Sequence, residues 1–357
     1  MKKILIDGDF LCRPLTGIER YAYEITKRLD TLASDHEIAI IVPSNTFTPP
    51  DYKNIDIIQL KTKIKSHLFW QMATVQSFLL KHREYTALEY GNTCLPFTPT
   101  IVFLHDIYCE LFPEDFSSFR DKLARLYNQY QYRLIARKAK RIVTVSEYSK
   151  NEIAKTFHVP PERITVIYSS WLHFNEIKPD YSVFSLFPAL EKPFFFSLGT
   201  ISKRKNMKWI IEYAAKHPRD TFAISGSRMP TTKDDKLNGS AGLKNIILLG
   251  YMDDAKVKAL MERCKAFLMP SYYEGFGLPP LEALSCGAPI IVADTASLPE
   301  IYGKTARYID PRDTSVELDE LLKVPVEAPC AILEKYSYDK SAQALYRLIT
   351  EYLNEKE

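Results

Sequence analysis

Short, continuously apolar runs alternate along the chain with longer segments whose apolar residues recur every three or four positions. Runs such as 3–6, 100–104 and 266–269 are typical of strands that are buried on both faces of a parallel sheet. The segment 17–29, with its spaced apolar side chains, is typical of an amphipathic helix packed on such a sheet. Strand and helix alternate in this way almost throughout, which predicts an α/β fold with doubly wound parallel sheets.

The same pattern predicts two sets of strands, separated by an irregular stretch between 168 and 194 that contains Pro179 and Pro188 and resembles a linker. The strands are 3–6, 37–42, 55–60, 100–104, 141–145 and 164–168, then 194–198, 222–225, 246–249, 266–269, 289–294 and 308–310. The helices predicted with both bounds are 17–29, 66–82, 118–138, 255–264, 315–322 and 338–353. The helix 118–138 has Ala124, Tyr127 and Tyr130 among its spaced apolar positions. Three further helices are predicted, one capped by Ser146, one after Asn206 and one entered through Pro279 and Pro280. We therefore expect two Rossmann-like domains, 1–180 and 181–337, and a terminal helix in 338–357.

The composition is that of an ordinary globular protein, and 357 residues with 46% hydrophobic and 25% charged side chains suffice for two cores. Six cysteines are scattered without a Cys-x-x-Cys pair, which predicts reduced thiols and neither a disulfide framework nor a zinc site. Asp7 and Asp9 interrupt the apolar start of the chain, and no apolar run approaches the length of a membrane span. We expect a cytoplasmic protein.

The net charge of +3 is unevenly distributed, because residues 1–178 hold 24 Lys and Arg against 20 Asp and Glu, while the remainder holds 23 against 24. This excess is too small to predict a nucleic-acid partner, but it suits an anionic lipid surface or a phosphorylated acceptor. Three lysines precede the apolar start of the helix 66–82, and the residues of this basic-aromatic pattern are Lys61, Lys63, Lys65, Leu68, Phe69, Trp70 and Met72. The pattern suits peripheral contact with the inner face of a membrane, and it equally fits a helix packed on the sheet.

The most informative stretch is 266–303, where a short strand is followed by a loop, a brief helix and a second strand. Glu274 lies in the loop and Glu282 lies one turn into the helix. The backbone N–H groups between them and the positive end of the helix form a seat for an anion, and these amides belong to Gly275, Phe276, Gly277 and Leu278. Carboxylates accept hydrogen bonds from neighbouring sugar hydroxyls, so the predicted ligand is a nucleotide sugar. The alternative is that both glutamates are solvated and the glycines only shape a turn.

A second loop, 199–206, follows the strand 194–198 and carries a glycine and three cations ahead of a helix. Such a loop suits a phosphate, with Arg204 and Lys205 as the candidates, and the alternative is an exposed basic turn. His105 ends an apolar strand at the edge where parallel sheets bind ligands. The pair Asp253-Asp254 is interpreted as the N-terminal cap of the helix 255–264 rather than as a metal site.

The run EGFGLPPLE from Glu274 to Glu282, followed by CGAP from Cys286, resembles the signature of the retaining, GT-B-fold glycosyltransferases known as group one. The resemblance extends over essentially the whole chain, including GIERY from Gly17, FLHDI at 103–107 and RKN from Arg204. It implies two Rossmann-like domains that face each other across a cleft, with the acceptor bound mainly by the first and the nucleotide sugar by the second. It also implies that the C-terminal helix crosses back to the N-terminal domain.

The resemblance further implies roles for particular residues. Catalysis is assigned to His105 and Glu274, which orient the donor sugar, and to Arg204 and Lys205, which offset charge on the departing diphosphate. Donor binding is assigned to Glu282, which contacts the ribose, and to Gly199, Gly226, Tyr251, Met252, Gly275, Phe276, Gly277 and Leu278. Acceptor binding is assigned to Arg13, Thr16, Gly17, Arg20 and Asp106. The resemblance implies that no metal and no other cofactor is needed.

The activity that the resemblance implies is transfer of a hexosyl group, with retention at the anomeric carbon, to a glycan or lipid-linked acceptor in surface polysaccharide or lipopolysaccharide biosynthesis. The GIERY and RKN segments resemble those of mannosyl- and rhamnosyltransferases, so GDP-mannose is the expected donor. Two alternatives keep the fold, namely a nucleotide-sugar epimerase or hydrolase and a non-catalytic binding subunit. A nicotinamide-dependent oxidoreductase is disfavoured because no Gly-x-Gly-x-x-Gly follows the first strand.

Overall fold

The computed structural model describes residues 2–15, 17–33, 37–44, 50–61, 66–199, 202–226 and 242–355. The chain forms two compact units. The first comprises Met1–Phe116, Lys122–Ser169 and Ser337–Glu357, and the second comprises Ser117–Asp121 and Ser170–Tyr336. The domain boundaries expected from the sequence stay predictions, since compactness alone does not show which segments fold independently.

The first unit is built on a parallel sheet of seven strands in the order β3-β2-β1-β4-β5-β6-β7. The strands are β1 (Lys3–Asp7), β2 (Ile38–Pro43), β3 (Asp56–Leu60), β4 (Tyr85–Glu89), β5 (Thr100–Phe103), β6 (Arg141–Thr144) and β7 (Ile164–Val166). Six of them agree with the sequence prediction, whereas β4 is absent from it. The reason is that β4 contains the polar residues Thr86 and Glu89, which are buried all the same, so the strand has no continuous apolar run.

The helices that accompany this sheet are α1 (Gly17–Leu32), α2 (His67–Phe69), α3 (Gln76–Lys81), α4 (Tyr108–Leu111), α5 (Phe119–Lys138) and α6 (Glu147–Phe157). Between α2 and α3, Trp70–Val75 forms a π-helical turn, so the helix predicted over 66–82 is present but widened in its middle. Ser146 caps α6 as predicted, because its hydroxyl accepts a hydrogen bond from the Ser149 amide at 3.0 Å.

The structure separates the aromatic residues of the basic-aromatic pattern. Trp70 is 1% exposed and packs in the core that includes β1, β2 and β4, whereas Phe69 is 63% exposed. Lys63 and Lys65 lie outside the described residues. The packing alternative therefore holds for Trp70, and the aromatic residues of the pattern do not share one exposed face.

The second unit is built on a parallel sheet of six strands in the order β10-β9-β8-β11-β12-β13. The strands are β8 (Phe194–Leu198), β9 (Thr221–Ser225), β10 (Ile246–Gly250), β11 (Ala266–Met269), β12 (Ile290–Ala293) and β13 (Arg307–Ile309). The helices are α7 (Ser182–Leu186), α8 (Met207–Lys216), α9 (Asp254–Arg263), α10 (Leu278–Ser285), α11 (Leu298–Tyr302), α12 (Leu318–Lys323) and α13 (Cys330–Lys335).

The stretch predicted to be an irregular linker contains α7. Val183 and Phe184 of this helix are buried, so the segment is part of the folded second unit and the linker prediction was wrong there. Pro179 and Pro188 misled the prediction because prolines also flank short helices, whose ends they help to define.

The last helix, α14 (Tyr338–Asn354), follows the second unit in sequence but belongs to the first. It packs on α1, where Arg28 Nε donates to Asp339 at 2.7 Å. The hydroxyls of Tyr352 and Thr86 lie 3.1 Å apart and join α14 to β4. The predicted crossing of the C-terminal helix back to the N-terminal part of the chain is confirmed.

Both sheets are doubly wound, so each has a point where the chain changes its direction across the sheet. In the first sheet this point lies between β1 and β4, and in the second it lies between β8 and β11. Ligands of open α/β sheets bind outside the carboxyl ends of the strands at such switch points. The loops after these four strands are therefore the first place to look for functional side chains.

Two carboxyl groups occupy the first switch point. Asp7 and Glu89 are the last residues of the adjacent strands β1 and β4, and they are 6% and 1% exposed. Trp70 and Gln71 of the π-helical turn donate a hydrogen bond to Asp7 and to Glu89, respectively, each at 2.8 Å. Burial, followed by the charge of Asp7, raises the pKa of Glu89 well above its usual value. Folding therefore favours the protonated form of Glu89.

We expect the substitution Glu89→Gln to increase the free energy of unfolding at neutral pH and to change its pH dependence. Between the ordinary pKa of 4.5 and the raised pKa of the folded state, the native protein binds a proton that the unfolded chain has lost, so this group lowers stability as pH rises. Glutamine is neutral throughout and still accepts a hydrogen bond from Gln71. Denaturant unfolding across this pH range measures the difference between the two proteins.

The matched control for this substitution is Glu162→Gln, which changes an exposed glutamate of the same unit and should leave the pH dependence as it is. If the free energy of unfolding of Glu89→Gln had the same pH dependence as that of the unsubstituted protein, the assignment of a protonated Glu89 would be contradicted.

Candidate active site

An acidic side chain lies between two cations at the second switch point. Glu274 belongs to the loop after β11 and is 4% exposed. Lys205 Nζ, from the loop after the neighbouring strand β8, donates to Glu274 Oε1 at 2.8 Å, and Arg204 Nη1 lies 3.5 Å from Oε2. The structure thus brings together three of the four residues predicted to be catalytic.

The turn that carries the two cations is fixed to the neighbouring loops. Asn206 has a left-handed backbone with φ of 52°, and its buried side-chain amide donates to the carbonyls of Pro270 and Pro311 at 3.0 and 2.8 Å. The amide of Tyr272 donates to the carbonyl of Arg204 at 2.9 Å. Because these partners lie in the loops after β11 and β13, the position of the cations is set relative to those loops.

The cations determine the charge of Glu274. Burial raises the pKa of its carboxyl, but the charges of Lys205 and Arg204, with the hydrogen bond from Lys205, outweigh burial and hold the pKa below its usual value. Glu274 is therefore ionised at neutral pH and offers only hydrogen-bond acceptors. Such a carboxylate can hold sugar hydroxyls, while guanidinium and ammonium groups bind phosphate oxygens.

Residues 275–277 continue this loop outside any strand and lead into α10. Gly277 has φ of +80°, and a Cβ at this position would lie 2.5 Å from Leu298 Cδ2, so the loop requires glycine there. Ser297 Oγ donates to the carbonyl of Glu274 at 2.9 Å, and the Tyr302 hydroxyl donates to the carbonyl of Gly277. The start of α11 and its last residue thus hold the loop in place.

The first turn of α10, where the anion was predicted to bind, has fewer free backbone amides than an ordinary helix start. Pro279 and Pro280 have no N–H group. Of the first three residues of α10, Leu278 is therefore the one whose backbone amide can donate to an anion. The remaining predicted donors, the amides of Gly275, Phe276 and Gly277, precede the helix. Their contact with a ligand stays a prediction.

Glu282, one turn into α10, contacts a residue that the sequence did not identify. His173 Nε2 lies 3.2 Å from Glu282 Oε1, and the two side chains are 5% and 10% exposed. His173 belongs to the turn Leu172–Glu176, in the stretch that the sequence predicted to be a linker. No spacing relates two residues so far apart in sequence, so only the fold reveals the pair. The contact orients the carboxylate that the sequence assigns to the ribose.

Glycines occupy the ends of β8, β9 and β10. A Cβ on Gly226 would lie 1.9 Å from the carbonyl oxygen of Gly199, and the amide of Gly226 donates to the carbonyl of Gly250 at 2.9 Å. The backbones at these strand ends approach each other closely enough to require glycine at Gly226. Tyr251 and Met252 follow, with the Tyr251 side chain 70% exposed, and their contact with a nucleobase stays a prediction.

His105 lies in the first unit, after β5. Its Nε2 is 2.8 Å from the carbonyl oxygen of Tyr90, and since a carbonyl only accepts, Nε2 donates and Nδ1 is the acceptor of the neutral ring. Burial lowers the pKa of His105, and the Tyr90 carbonyl and the charge of Asp106 offset only part of this effect. The ring contacts Tyr21 and Phe103, with centroid distances of 5.5 and 6.0 Å. A neutral imidazole is thus held in one orientation.

The two arginines predicted to bind the acceptor are engaged within the first unit. Arg13 forms ion pairs with Asp9 and, at 3.4 Å, with Glu19. Arg20 Nη2 donates to a backbone carbonyl of the preceding loop at 3.3 Å. The charge of Arg13 therefore serves first to hold the loop before α1.

Asp106 and Gly17, also predicted to bind the acceptor, lie at the starts of helices. Asp106 accepts a hydrogen bond from the amide of Tyr108, the first residue of α4, at 3.1 Å. Gly17 begins α1 with φ of +32°, and Thr16 lies outside the described residues. Contact of these residues with an acceptor stays a prediction.

Asp253 caps α9, because its Oδ1 accepts a hydrogen bond from the Lys256 amide at 2.9 Å, which confirms the capping interpretation. Among the described residues, no three His, Cys, Asp or Glu side chains are grouped so that they could hold a metal ion. That a metal is not required stays a prediction. Across the same part of the chain, no helix combines the length and the apolar character needed to cross a membrane.

Two family models match the chain. The model described as Glycosyltransferase Family 4 matches residues 15–170, and the model described as Glycosyl transferases group 1 matches residues 182–324. The second match contains Arg204, Lys205, Glu274 and Glu282.

Two relatives align with most of the chain. The O-antigen chain mannosyltransferase B of Escherichia coli is 28% identical over 341 residues, which cover 87% of this chain and 87% of that protein. The O-antigen chain mannosyltransferase RfbU of Salmonella typhimurium is 24% identical over 367 residues, which cover 94% and 96%. Among solved structures, Anabaena Alr3699/HepE in complex with UDP and glucose has a TM-score of 0.71 at 18% identity, covering 98% of this chain and 100% of that one.

The two family models together span most of the sequence, and the structural similarity extends over nearly all of it. Each unit carries the doubly wound parallel sheet that this architecture requires. The chain therefore belongs to the group 1 glycosyltransferases and has the GT-B fold.

Proposed function

We propose that the protein is a retaining glycosyltransferase that moves a mannosyl group from GDP-mannose to a glycan or lipid-linked acceptor, in the biosynthesis of a surface polysaccharide or lipopolysaccharide. The observation that carries the proposal is the buried Glu274 with Lys205 and Arg204 beside it. This group combines an acceptor for sugar hydroxyls with two cations for a diphosphate. The aligned relatives are mannosyltransferases of O-antigen chains, which favours mannose as the transferred sugar.

In this proposal the donor binds along the loops after β8 and β11. Arg204 and Lys205 offset the charge that builds up on the diphosphate as its bond to the sugar breaks, an effect that is strongest in a site that excludes water. Glu274 accepts hydrogen bonds from the donor sugar, and Glu282 accepts them from the ribose. The Anabaena structure holds UDP and glucose, which supports nucleotide-sugar binding by a protein of this fold.

The balance of charge around Glu274 favours a complete nucleotide sugar over a free diphosphate. In the structure the two cations compensate the buried carboxylate. A diphosphate adds negative charge beside the same cations, and the carboxylate then needs new donors to stay ionised. The hydroxyls of the donor sugar supply these donors, so the sugar and the diphosphate stabilise each other's binding.

Retention requires the acceptor hydroxyl to approach the anomeric carbon from the side on which the diphosphate leaves. We propose that the departing phosphate takes the acceptor's proton, so that no side chain serves as a base or a nucleophile. His105, neutral and with Nδ1 as an acceptor, orients a hydroxyl of the bound sugar. Arg204 and Lys205 supply the positive charge at the diphosphate, so we further propose that catalysis does not require a divalent cation.

We expect GDP-mannose to raise the thermal unfolding midpoint more than UDP- or ADP-linked sugars do, since a ligand that binds only the native state stabilises it. Transfer to an acceptor should continue in EDTA and give the α-linked product. The variant Glu274→Gln should lose most of this transfer while keeping the shift caused by GDP. Thermal unfolding and analysis of the glycan product measure these effects.

Two outcomes would overturn this proposal. Full transfer activity of Glu274→Gln would remove its central residue. Release of free mannose or of an epimerised nucleotide sugar, at the rate of transfer and without any acceptor present, would assign the site to hydrolysis or epimerisation instead.

The variant Lys205→Met should lose both stability and donor binding. It leaves the buried Glu274 without its nearest cation, and truncating one partner of a buried ion pair costs about 3–5 kcal/mol. The exposed pair Lys208–Glu212, at 3.1 Å on α8, provides the control, because Lys208→Met should change stability by less than about 1 kcal/mol. Denaturant unfolding and nucleotide-dependent thermal shifts measure both effects, and equal losses in the two variants would contradict the role of Lys205.

The variant His173→Ala should weaken binding of the donor about 10-fold or more, because a hydrogen bond to a charged group contributes about 1.5–3 kcal/mol. If His173 acts by orienting Glu282 toward the ribose, a donor with a 2′,3′-dideoxyribose should bind the variant and the unsubstituted protein equally. His217, whose Nδ1 lies 3.9 Å from Glu317 Oε2 on another part of the unit, gives the control variant His217→Ala. Calorimetric titration measures these affinities, and equal losses with both donors would show a merely structural role.

A further inference from the structure

The loop after β4 holds His105 at two places. The carbonyl oxygen of Tyr90 lies 2.8 Å from His105 Nε2, and Oδ1 of Asn92 accepts a hydrogen bond from the His105 amide at 3.1 Å. The first contact fixes the imidazole ring, and the second fixes the backbone from which the ring extends. Asn92, to which the sequence pattern assigned no role, therefore lies directly beside the predicted catalytic residue of the first unit.

The segment that carries Asn92 is anchored on both sides. Before it, Tyr90 is 3% exposed, and its ring packs on Phe103 with the centroids 4.9 Å apart. After it, the amide of the buried Cys94 donates to Gln131 Oε1 at 2.9 Å. Asn92 itself is only half-buried. A firmly held loop thus presents one polar side chain that is partly open to solvent.

The contact with His105 determines which way the side-chain amide of Asn92 points. A backbone N–H only donates, so the atom that faces it is the oxygen, Oδ1, and the nitrogen, Nδ2, lies on the other side. Within the part of the chain that the structure describes, Nδ2 has no hydrogen-bond partner. A Cβ on the preceding Gly91 would have no neighbouring atom within 4 Å, so the loop borders open space here. Two N–H donors therefore remain for a ligand.

The other polar groups around His105 offer only acceptors. The charges that act on the ring are those of the carboxylates of Asp106 and Glu19, and Nδ1 of the neutral imidazole also accepts. A sugar hydroxyl gives one hydrogen bond and receives others, so acceptors alone satisfy its proton and leave its lone pairs without a donor. Nδ2 of Asn92 supplies such a donor beside the histidine.

We propose that Asn92 binds the donor sugar. Its Oδ1 holds the backbone of His105, and its Nδ2 donates a hydrogen bond to an oxygen of the sugar that His105 orients. This inference rests on the proposed function, in which His105 accepts a hydrogen bond from a hydroxyl of that sugar. There the diphosphate and the ribose are held by the second unit. Loss of the two N–H donors should therefore affect a nucleotide sugar and spare a nucleoside diphosphate.

The test is calorimetric titration of the full chain with GDP-mannose and with GDP, at a mildly alkaline pH that keeps the imidazole neutral. The variant Asn92→Asp retains the oxygen that holds the His105 amide and replaces the N–H donors with a second oxygen. We expect it to bind GDP-mannose about tenfold or more less tightly, because the hydrogen bond is lost and the carboxylate lone pairs face those of the sugar oxygen. Its affinity for GDP should not change.

GDP also serves as the control for the added charge. It carries more negative charge than GDP-mannose, so a general repulsion by the new carboxylate would weaken GDP at least as much. The matched control for the chemical change is Asn128→Asp. Asn128 is likewise half-buried in the first unit, on α5, where its Nδ2 lies 3.6 Å from Cys109 Sγ. This variant should bind both ligands like the unsubstituted protein.

NMR of isotope-labelled histidine separates a direct contact with the sugar from an effect through His105. The signal of His105 is assigned by its loss in His105→Gln, and it reports which ring nitrogen carries the proton. Asn92→Asp should leave this proton on Nε2, because the Tyr90 carbonyl that receives it is unchanged. Weaker binding of GDP-mannose with an unchanged ring is the result that the proposed contact requires.

Three results would refute the role of Asn92 alone. They are equal affinities of Asn92→Asp and the unsubstituted protein for GDP-mannose, equal losses of affinity for GDP-mannose and GDP, and a proton that moves from Nε2 in this variant. The last would show that the asparagine acts through His105 only. Absence of GDP-mannose binding by the unsubstituted protein would refute the proposed donor as well, and it is visible before any variant is made.

Discussion

The ionised carboxylate of Glu274, buried at the edge of the second sheet, is the constraint around which this unit is arranged. A buried carboxylate without partners is too costly to remain charged. It stays charged because Lys205 and Arg204 are held beside it, and they are held there because β8 and β11 are neighbours in the sheet. Gly277 and the left-handed Asn206 serve the same requirement. Gly277 shapes the loop that carries Glu274, and Asn206 shapes the turn that carries Arg204 and Lys205.

The two switch points give opposite protonation states to buried glutamates. At the second, cations lower the pKa of Glu274, and the carboxylate can only accept hydrogen bonds. At the first, burial and the charge of Asp7 raise the pKa of Glu89, and the protonated carboxyl can also donate one. The same position in a doubly wound sheet therefore holds an ionised carboxylate beside two cations in one unit and a neutral, hydrogen-bonded carboxyl in the other. The neighbouring side chains, rather than the fold, decide which of the two results.

The sequence predicted what depends on local patterns. Continuous apolar runs predicted twelve of the strands described here, and the caps Ser146 and Asp253 were predicted from their positions before helices. The strand β4 escaped because its buried Thr86 and Glu89 are polar. His173 escaped because its partner Glu282 is remote in sequence. Apolar spacing predicted α5 as a helix but could not show that Tyr130 is exposed, because periodicity indicates that a helix has an apolar face and not what covers that face.

The two units differ in how far their charged side chains are committed to internal contacts, and this difference bears on substrate choice. In the second unit, a ligand that brings hydroxyls and a diphosphate can take over the contacts among Glu274, Lys205 and Arg204, since it supplies groups of matching charge. In the first unit, Arg13 is paired with Asp9 and Glu19 of its own loop and helix. In the proposed function, an anionic acceptor must compete with both carboxylates for this arginine. In the proposed function, the loop before α1 therefore favours an uncharged acceptor over an anionic one.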